Sequence, residues 1–155
     1  MIRAPDPSNG TPSTKLPAGY AAESLGIGGR ADVESMVQQT LLGDAWENAA
    51  VAVAVFSEDG RYIACNRAFM RLTGYERDEI LAMRVGVDLA ADPAANTELF
   101  HGIVGEGRAT GTGGLRQKDG GLVTVHFWAI ETTAANLPFF ITLYRDAGTA
   151  PPFAL

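Results

Sequence analysis

Side chains able to do chemistry are few in this chain of 155 residues. Its one thiol, Cys65, has no neighbour in sequence that marks it as an activated nucleophile, and a small residue ending a strand before a helix cap reads as a buried, inert thiol. His101 and His126 are the only histidines. The carboxylate pairs Asp78 and Glu79, and Asp88 and Asp92, fall where helix surfaces and caps place them, and a metal site needs more ligands converging. Gly105-Glu106-Gly107 and Gly111-Thr112-Gly113-Gly114 hint at a phosphate loop. Such a loop needs a strand before it and a helix after it, whereas here a helix precedes and a strand follows, so the glycines read as a flexible connection that lets a cavity mouth breathe. A proton-abstracting enzyme would need an inward-facing Asp or Glu tuned by burial. Glu131 is the nearest candidate, and it sits at a strand end. A small cone-fold, isomerase-like enzyme with an apolar pocket is therefore the alternative, behind a non-catalytic binding or signalling module.

Composition narrows the class further. Hydrophobic residues make up 46% and charged residues 19%, which is enough for one real core at this length. The formal net charge of -6 and the lack of any basic run argue against nucleic acid as a partner. No apolar stretch approaches the roughly 20 residues of a membrane helix. The N-terminus, MIRAPDPSNG, lacks the apolar core of a secretory signal, so Asn9-Gly10-Thr11 is a chance sequon and the expected location is cytoplasmic. One cysteine excludes an internal disulfide.

The elements that must position any site follow from periodicity and punctuation. Residues 1–30, rich in Pro, Gly, Ser and Ala, are expected to form a disordered arm. Val33, Met36, Val37, Thr40 and Leu41 recur at helical spacing, with Asp32 and Glu34 near the positive end, which predicts an amphipathic helix from Ala31 to about Leu42. Gly43 is expected to break it, and Asp44 to cap a second short turn carrying Trp46. Val51 to Phe56 reads as a buried strand. Asp59-Gly60 is a turn, and Arg61 to Cys65 a second strand. Asn66 is placed to cap a helix carrying Phe69, Met70 and Leu72, which Gly74 stops. A second short helix follows Tyr75. Asp92-Pro93 opens a longer helix ended by Gly105 or Gly107. Three strands follow: Arg108 to Lys118, Leu122 to Thr132 and Leu137 to Arg145, with a four-residue loop, Thr133 to Asn136, before the last. Residues 147–155 are expected to be a flexible tail.

This order of motifs resembles the PAS family of sensor domains. The matching residues are Asp59-Gly60, Asn66, Ala68-Phe69, Thr73-Gly74-Tyr75, the Arg116-Gln117-Lys118-Asp119-Gly120 turn and the closing Arg145-Asp146. The resemblance covers residues 46–146, with residues 31–45 as an N-terminal flanking helix. It implies an α+β fold: a five-stranded antiparallel sheet in the order 2-1-5-4-3, helices on one face and a small apolar cavity between. Its lining is expected from Val53, Val55, Phe69, Leu72, Ile80, Met83, Phe100, Ile103, Val125, Phe127, Ile141 and Leu143.

Alternate residues of a strand point to opposite faces. In Leu122 to Ile130, Val123, Val125, Phe127 and Ala129 form one set, and His126, Trp128 and Ile130 lie on the other. The second set is too apolar for a wet face, so a cover is expected: the flanking helix, through Val33, Met36, Val37, Leu41 and Trp46, from the same chain or a second one. The resemblance implies a bacterial-type sensory module that binds a small apolar ligand or a protein partner, acts as a homodimer and signals to an effector such as a histidine kinase or regulator. Family haem ligands sit near the start of the long helix, where Ala94 to Thr97 hold no histidine, and His101 lies too late. The covalent flavin photoadduct of the light-oxygen-voltage subgroup needs a cysteine after Tyr75; Ile80 to Val85 contain none, which excludes it. Asp146 is followed by Ala-Gly-Thr-Ala-Pro-Pro, which does not extend as a helix. The signal is therefore expected to pass through a partner, or the chain to be part of a longer protein.

Overall fold

The computed structural model describes residues 30–154, so the expected N-terminal arm, residue 30 aside, lies outside the described residues. The chain divides into two compact units, one up to Leu41 and one from Leu42 onward. Helix α1 (Arg30–Asn48) runs through both without a break at Gly43. Glycine in a helix interior costs only about 1 kcal/mol relative to alanine. The last turn is also held from outside, because Glu47 pairs with Arg77 at 2.6 Å and with Arg67 at 3.7 Å. No residue of α1 is fully buried, and Val33, Met36, Val37 and Leu41 are all exposed.

The second unit is built on one antiparallel sheet. Its strands are β1 (Ala52–Ser57), β2 (Tyr62–Cys65), β3 (Arg108–Arg116), β4 (Leu122–Ala134) and β5 (Leu137–Asp146), ordered β2-β1-β5-β4-β3. The helices α2 (Arg67–Thr73), α3 (Arg77–Leu81) and α4 (Pro93–Glu106) lie between β2 and β3 in sequence. The caps are those the residue types favour. Asn66 Oδ1 accepts from Phe69 N at 3.1 Å, and Gly74 closes α2 at a φ of 79°. Asp92 accepts from Ala94 N and Ala95 N, Pro93 takes the first turn, and Gly107 closes α4 at a φ of 72°.

Asn66 does more than cap. Its side-chain oxygen also accepts from Val53 N at 3.0 Å, and its amide nitrogen donates to Trp46 O at 3.1 Å and Val51 O at 2.9 Å. One fully buried side chain therefore joins the end of α1, the start of β1 and the start of α2.

The sheet's inner face carries an aromatic core. Phe56 stacks on Phe140 with centroids 5.3 Å apart, and Phe69 lies 5.0 Å from Tyr144. Such pairs are worth about 0.5–1.5 kcal/mol beyond the area they bury. The free edge of β3 is blunted by the segment before α4: Arg116 N donates to Leu89 O, and Ala91 N to Gly114 O. A Cβ on Gly114 would stand 2.7 Å from the Ala91 methyl, so only glycine lets the two backbones meet.

Two connections differ from expectation. The β4–β5 link is a two-residue turn rather than a four-residue loop, because β4 extends to Ala134. Ala135 and Asn136 take φ of 51° and 62°, the paired left-handed conformation that matches strand twist in a tight hairpin. The expected flexible tail makes defined contacts: Ala147 N donates to Thr124 O at 2.9 Å, and the Arg145 guanidinium lies 4.1 Å over the Phe153 ring.

Two variants test this account. Ala135→Gly relieves a left-handed alanine and is expected to stabilise the chain by about 1 kcal/mol in urea denaturation. Asn66→Ala strands several buried backbone groups and is expected to cost about 3 kcal/mol or more. A loss below about 1 kcal/mol would mean that the surrounding backbone finds other partners.

Candidate ligand cavity

Between the inner face of the sheet and α4 lies a cavity of about 60 Å³. Phe100, Leu99, Ile103 and Asn96 of α4 form one wall, and Val125, Phe127, Thr142 and Tyr144 of the central strands form the opposite one. Phe56, Tyr62, Leu115 and the stretch Val85–Gly86 close the ends. No charged side chain reaches it.

Its polar groups are hydroxyls and one amide. Burial pushes the Tyr144 hydroxyl up to about 12 and the Tyr62 hydroxyl well above its ordinary value, so both rings stay neutral across the physiological range. Thr142 is fully buried, and its Oγ1 has no hydrogen-bond partner.

The glycines of β3 shape this wall rather than loosen it. β3 pairs with β4 along its whole length, so it is neither a flexible connection nor a hinge. A Cβ on Gly111 would sit 3.0 Å from the Phe127 ring, so its absence lets that ring lie across the neighbouring strand.

The residues expected at the cavity separate into three groups. Phe100, Ile103, Val125 and Phe127 line it. Phe69 and Ile80 are fully buried in the core, with Leu72 and Met83 packed against it, but none of the four lines the cavity. Val53, Val55, Ile141 and Leu143 lie on the other face of the sheet. The register pairs Val53 with Leu143 and Val55 with Ile141, and carries Leu143 on to Trp128 and Ile141 on to Ile130. The inward residues of those strands are Ala52, Ala54 and Phe56, and Phe140, Thr142 and Tyr144. The physical reason is volume: the alanines let α2 approach β1, and the aromatic rings of β5 fill the space beneath it. Thr142, Tyr144 and Tyr62 were missed because each strand offers two apolar sets, and the aliphatic one resembles a core more closely.

The outer face is thus a continuous apolar strip. Val53 is buried on it; Val55, Ile141, Leu143 and Trp128 are half-buried, and Ile130 is exposed. His126 lies on the same face, with Nδ1 2.9 Å from the Thr112 hydroxyl.

The remaining candidates stand apart from the cavity. His101 is exposed on α4. Cys65 is buried, and burial pushes its thiol up, away from the reactive thiolate. Glu131 is exposed near the end of β4 and no carboxylate lines the cavity, so the geometry a proton-abstracting isomerase needs is not present there. Among the described residues no three His, Cys, Asp or Glu side chains converge as a metal site, and no helix is long and apolar enough to cross a membrane. Lys118, in the β3–β4 turn, meets Glu79 of α3 at 2.7 and 2.8 Å, which holds the Glu79 carboxyl below its usual range.

Comparison with known proteins agrees with this geometry. A sequence model described as "PAS domain" matches residues 45–108. The PAS domain of an HTR-like protein from Haloarcula marismortui superposes with a TM-score of 0.67 at 19% identity, covering 76% of this chain and 98% of that one. The PAS domain of a two-component sensor histidine kinase gives 0.62 at 20% identity, covering 76% and 99%. A domain of a sensory box sensor histidine kinase/response regulator from Geobacter sulfurreducens gives 0.61 at 21%, covering 72% and 96%. None of the curated proteins compared with the chain matches it. The strand order and these superpositions give the chain the PAS fold, and residues 45–108 match the PAS domain model in sequence.

The buried tyrosines predict a pH dependence. The folded state holds the Tyr144 proton up to about 12, whereas an unfolded tyrosine releases it near 10. Their contribution to stability is complete below a pH of about 10 and is lost as pH rises toward 12 and beyond. Urea midpoints measured from pH about 9 to about 11.5 should fall, and Tyr144→Phe should make the fall shallower. An identical slope in the variant would show that Tyr144 is not the buried titrating group.

Proposed function

We propose that this chain is a non-catalytic sensory module, located in the cytoplasm, in which a small ligand in the cavity biases the packing of the outer sheet face. The observation that carries this reading is the alternation along β4. Val125 and Phe127 line the cavity, while His126 and Trp128 between and beside them face the apolar outer strip. A residue pair that shifts inside therefore moves its sequence neighbours outside, which links an occupied cavity to a changed interface without any long pathway. Ligand binding acts on such a system by favouring one of two packings, by as much as its affinities for them differ.

The partner on the outer face is a second copy of the chain. The exposed apolar residues Val33, Met36, Val37 and Leu41, together with Trp46, supply the matching surface for His126, Trp128 and Ile130. The similar domains that belong to sensor histidine kinases support an effector of that kind, or a response regulator, as the recipient of the signal. The acidic balance of the chain argues against nucleic acid as that partner.

Analytical ultracentrifugation of the full chain and of the charge variants Val37→Glu and Trp128→Glu tests the interface. A dimer in the parent and a monomer in either folded variant is expected. A parent that sediments as a monomer, or variants that keep its mass, would refute the proposed interface. Native mass spectrometry of the purified chain checks the cavity independently, through the mass of any copurified small molecule.

A further inference from the structure

We propose that the cavity is specific for a small neutral molecule bearing one hydrogen-bonding group, and that the Thr142 hydroxyl is the anchor for that group. The proposal rests on the ligand-cavity reading above and supplies the ligand's chemistry. Thr142 is 2% exposed and lies on β5, at the centre of the sheet. Its two neighbours across the sheet are Ala54 and Ala129, which carry only methyl groups. Neither can reach Oγ1, and although the Tyr144 hydroxyl lies close by, no protein group meets Oγ1 in hydrogen-bond geometry. A valine would fill the same volume without burying an unpaired hydroxyl, so the hydroxyl is an unmet polar demand at the cavity wall.

The rest of the lining defines what can meet it. Tyr144, the next inward residue on β5, and Tyr62 add two further hydroxyls to the lining. No charged side chain lines the cavity, so an ionic ligand would be buried without a counter-charge. The body of the ligand meets Val125, Phe127, Leu99 and Ile103, which favour an apolar frame. A volume of about 60 Å³, set against the 10–15 Å³ that one water requires, suits roughly four to six non-hydrogen atoms. A short or cyclic alcohol has this size, charge and hydrogen-bonding capacity.

Chemical-shift titration of the full chain with cyclopentanol, cyclopentane and pentanoate tests the proposal. Cyclopentanol should shift the signals of Thr142, Tyr144 and Val125, and pentanoate should not. Thr142→Val should weaken cyclopentanol roughly 2- to 10-fold while leaving cyclopentane unchanged. Thr142→Ser, which keeps the hydroxyl, should bind cyclopentanol as the parent does. Without ligand, Thr142→Val should melt a few degrees higher than the parent, since it removes the unpaired hydroxyl. Equal cyclopentanol binding by parent and valine variant would overturn the anchor while leaving the cavity reading intact. Pentanoate binding as tight as cyclopentanol would overturn the neutral-ligand assignment. Failure of both neutral probes to move any cavity signal would overturn the cavity reading and this proposal together. If the valine variant does not fold, comparing Thr142→Ser with Thr142→Ala decides between the same outcomes.

Discussion

The architecture depends on one buried side chain, Asn66. A primary amide has an acceptor oxygen and two N–H donors, and here both ends are used on backbone. Its oxygen takes amide hydrogens from Val53 and Phe69, and its nitrogen gives to the carbonyls of Trp46 and Val51. The chain arrives at this point from a helix, leaves it as β1, and returns along β2 into a second helix. Each of those changes of direction strands backbone groups that would otherwise be buried unpaired. Asparagine resolves them together, at the place where the flanking helix joins the domain. A charged aspartate would lack the donors, and leucine would lack everything but volume.

From that junction the sheet acquires two working faces. The inner one is aromatic and nearly sealed, with Phe56 on Phe140 and Phe69 beside Tyr144. The outer one is aliphatic, with Val55, Ile141, Leu143 and Trp128 left half-buried. An antiparallel sheet with one wet side would show polar residues on that side. Here the polar residues of the middle strands, such as His126 and Arg145, flank an apolar strip instead of covering the face. The cavity and the apolar outer strip are thereby separated by the thickness of a single sheet.

The cavity's neutrality is a consequence of its walls. Burial first of all raises both Tyr62 and Tyr144, with Tyr144 and Asp88 adding to the rise at Tyr62, and no charged side chain lines the cavity. Small residues at particular positions create the space. Ala54 and Ala129 stand on either side of Thr142, and Gly111 and Gly113 lie opposite Phe127 and Val125. Larger residues there would fill the volume and leave a solid core.

Local order was legible in the sequence wherever one residue type answers one local demand. Asn66, Gly74, Asp92-Pro93 and Gly107 mark helix ends because caps need short acceptors, fixed φ or left-handed backbone within a few residues. The strand order came from the resemblance of the motif order to the PAS family, and the two faces of β4 from its own alternation. The faces of β1 and β5 were not legible. In Ala52 to Phe56 and in Phe139 to Tyr144 both alternate sets are apolar, so periodicity of two cannot say which set turns inward. Only the packing decides: α2 comes close to β1 over alanines, and the rings of β5 fill the space below. That choice places Thr142 rather than Ile141 at the cavity wall. The sequence by itself determined the order of the elements and most of the helix caps, since those are set by short-range backbone chemistry, while α1 runs past Gly43 and β4 on to Ala134. Tertiary structure alone decided which hydroxyl is left without a partner, because pairing register and inter-element packing are properties of residues distant in the chain.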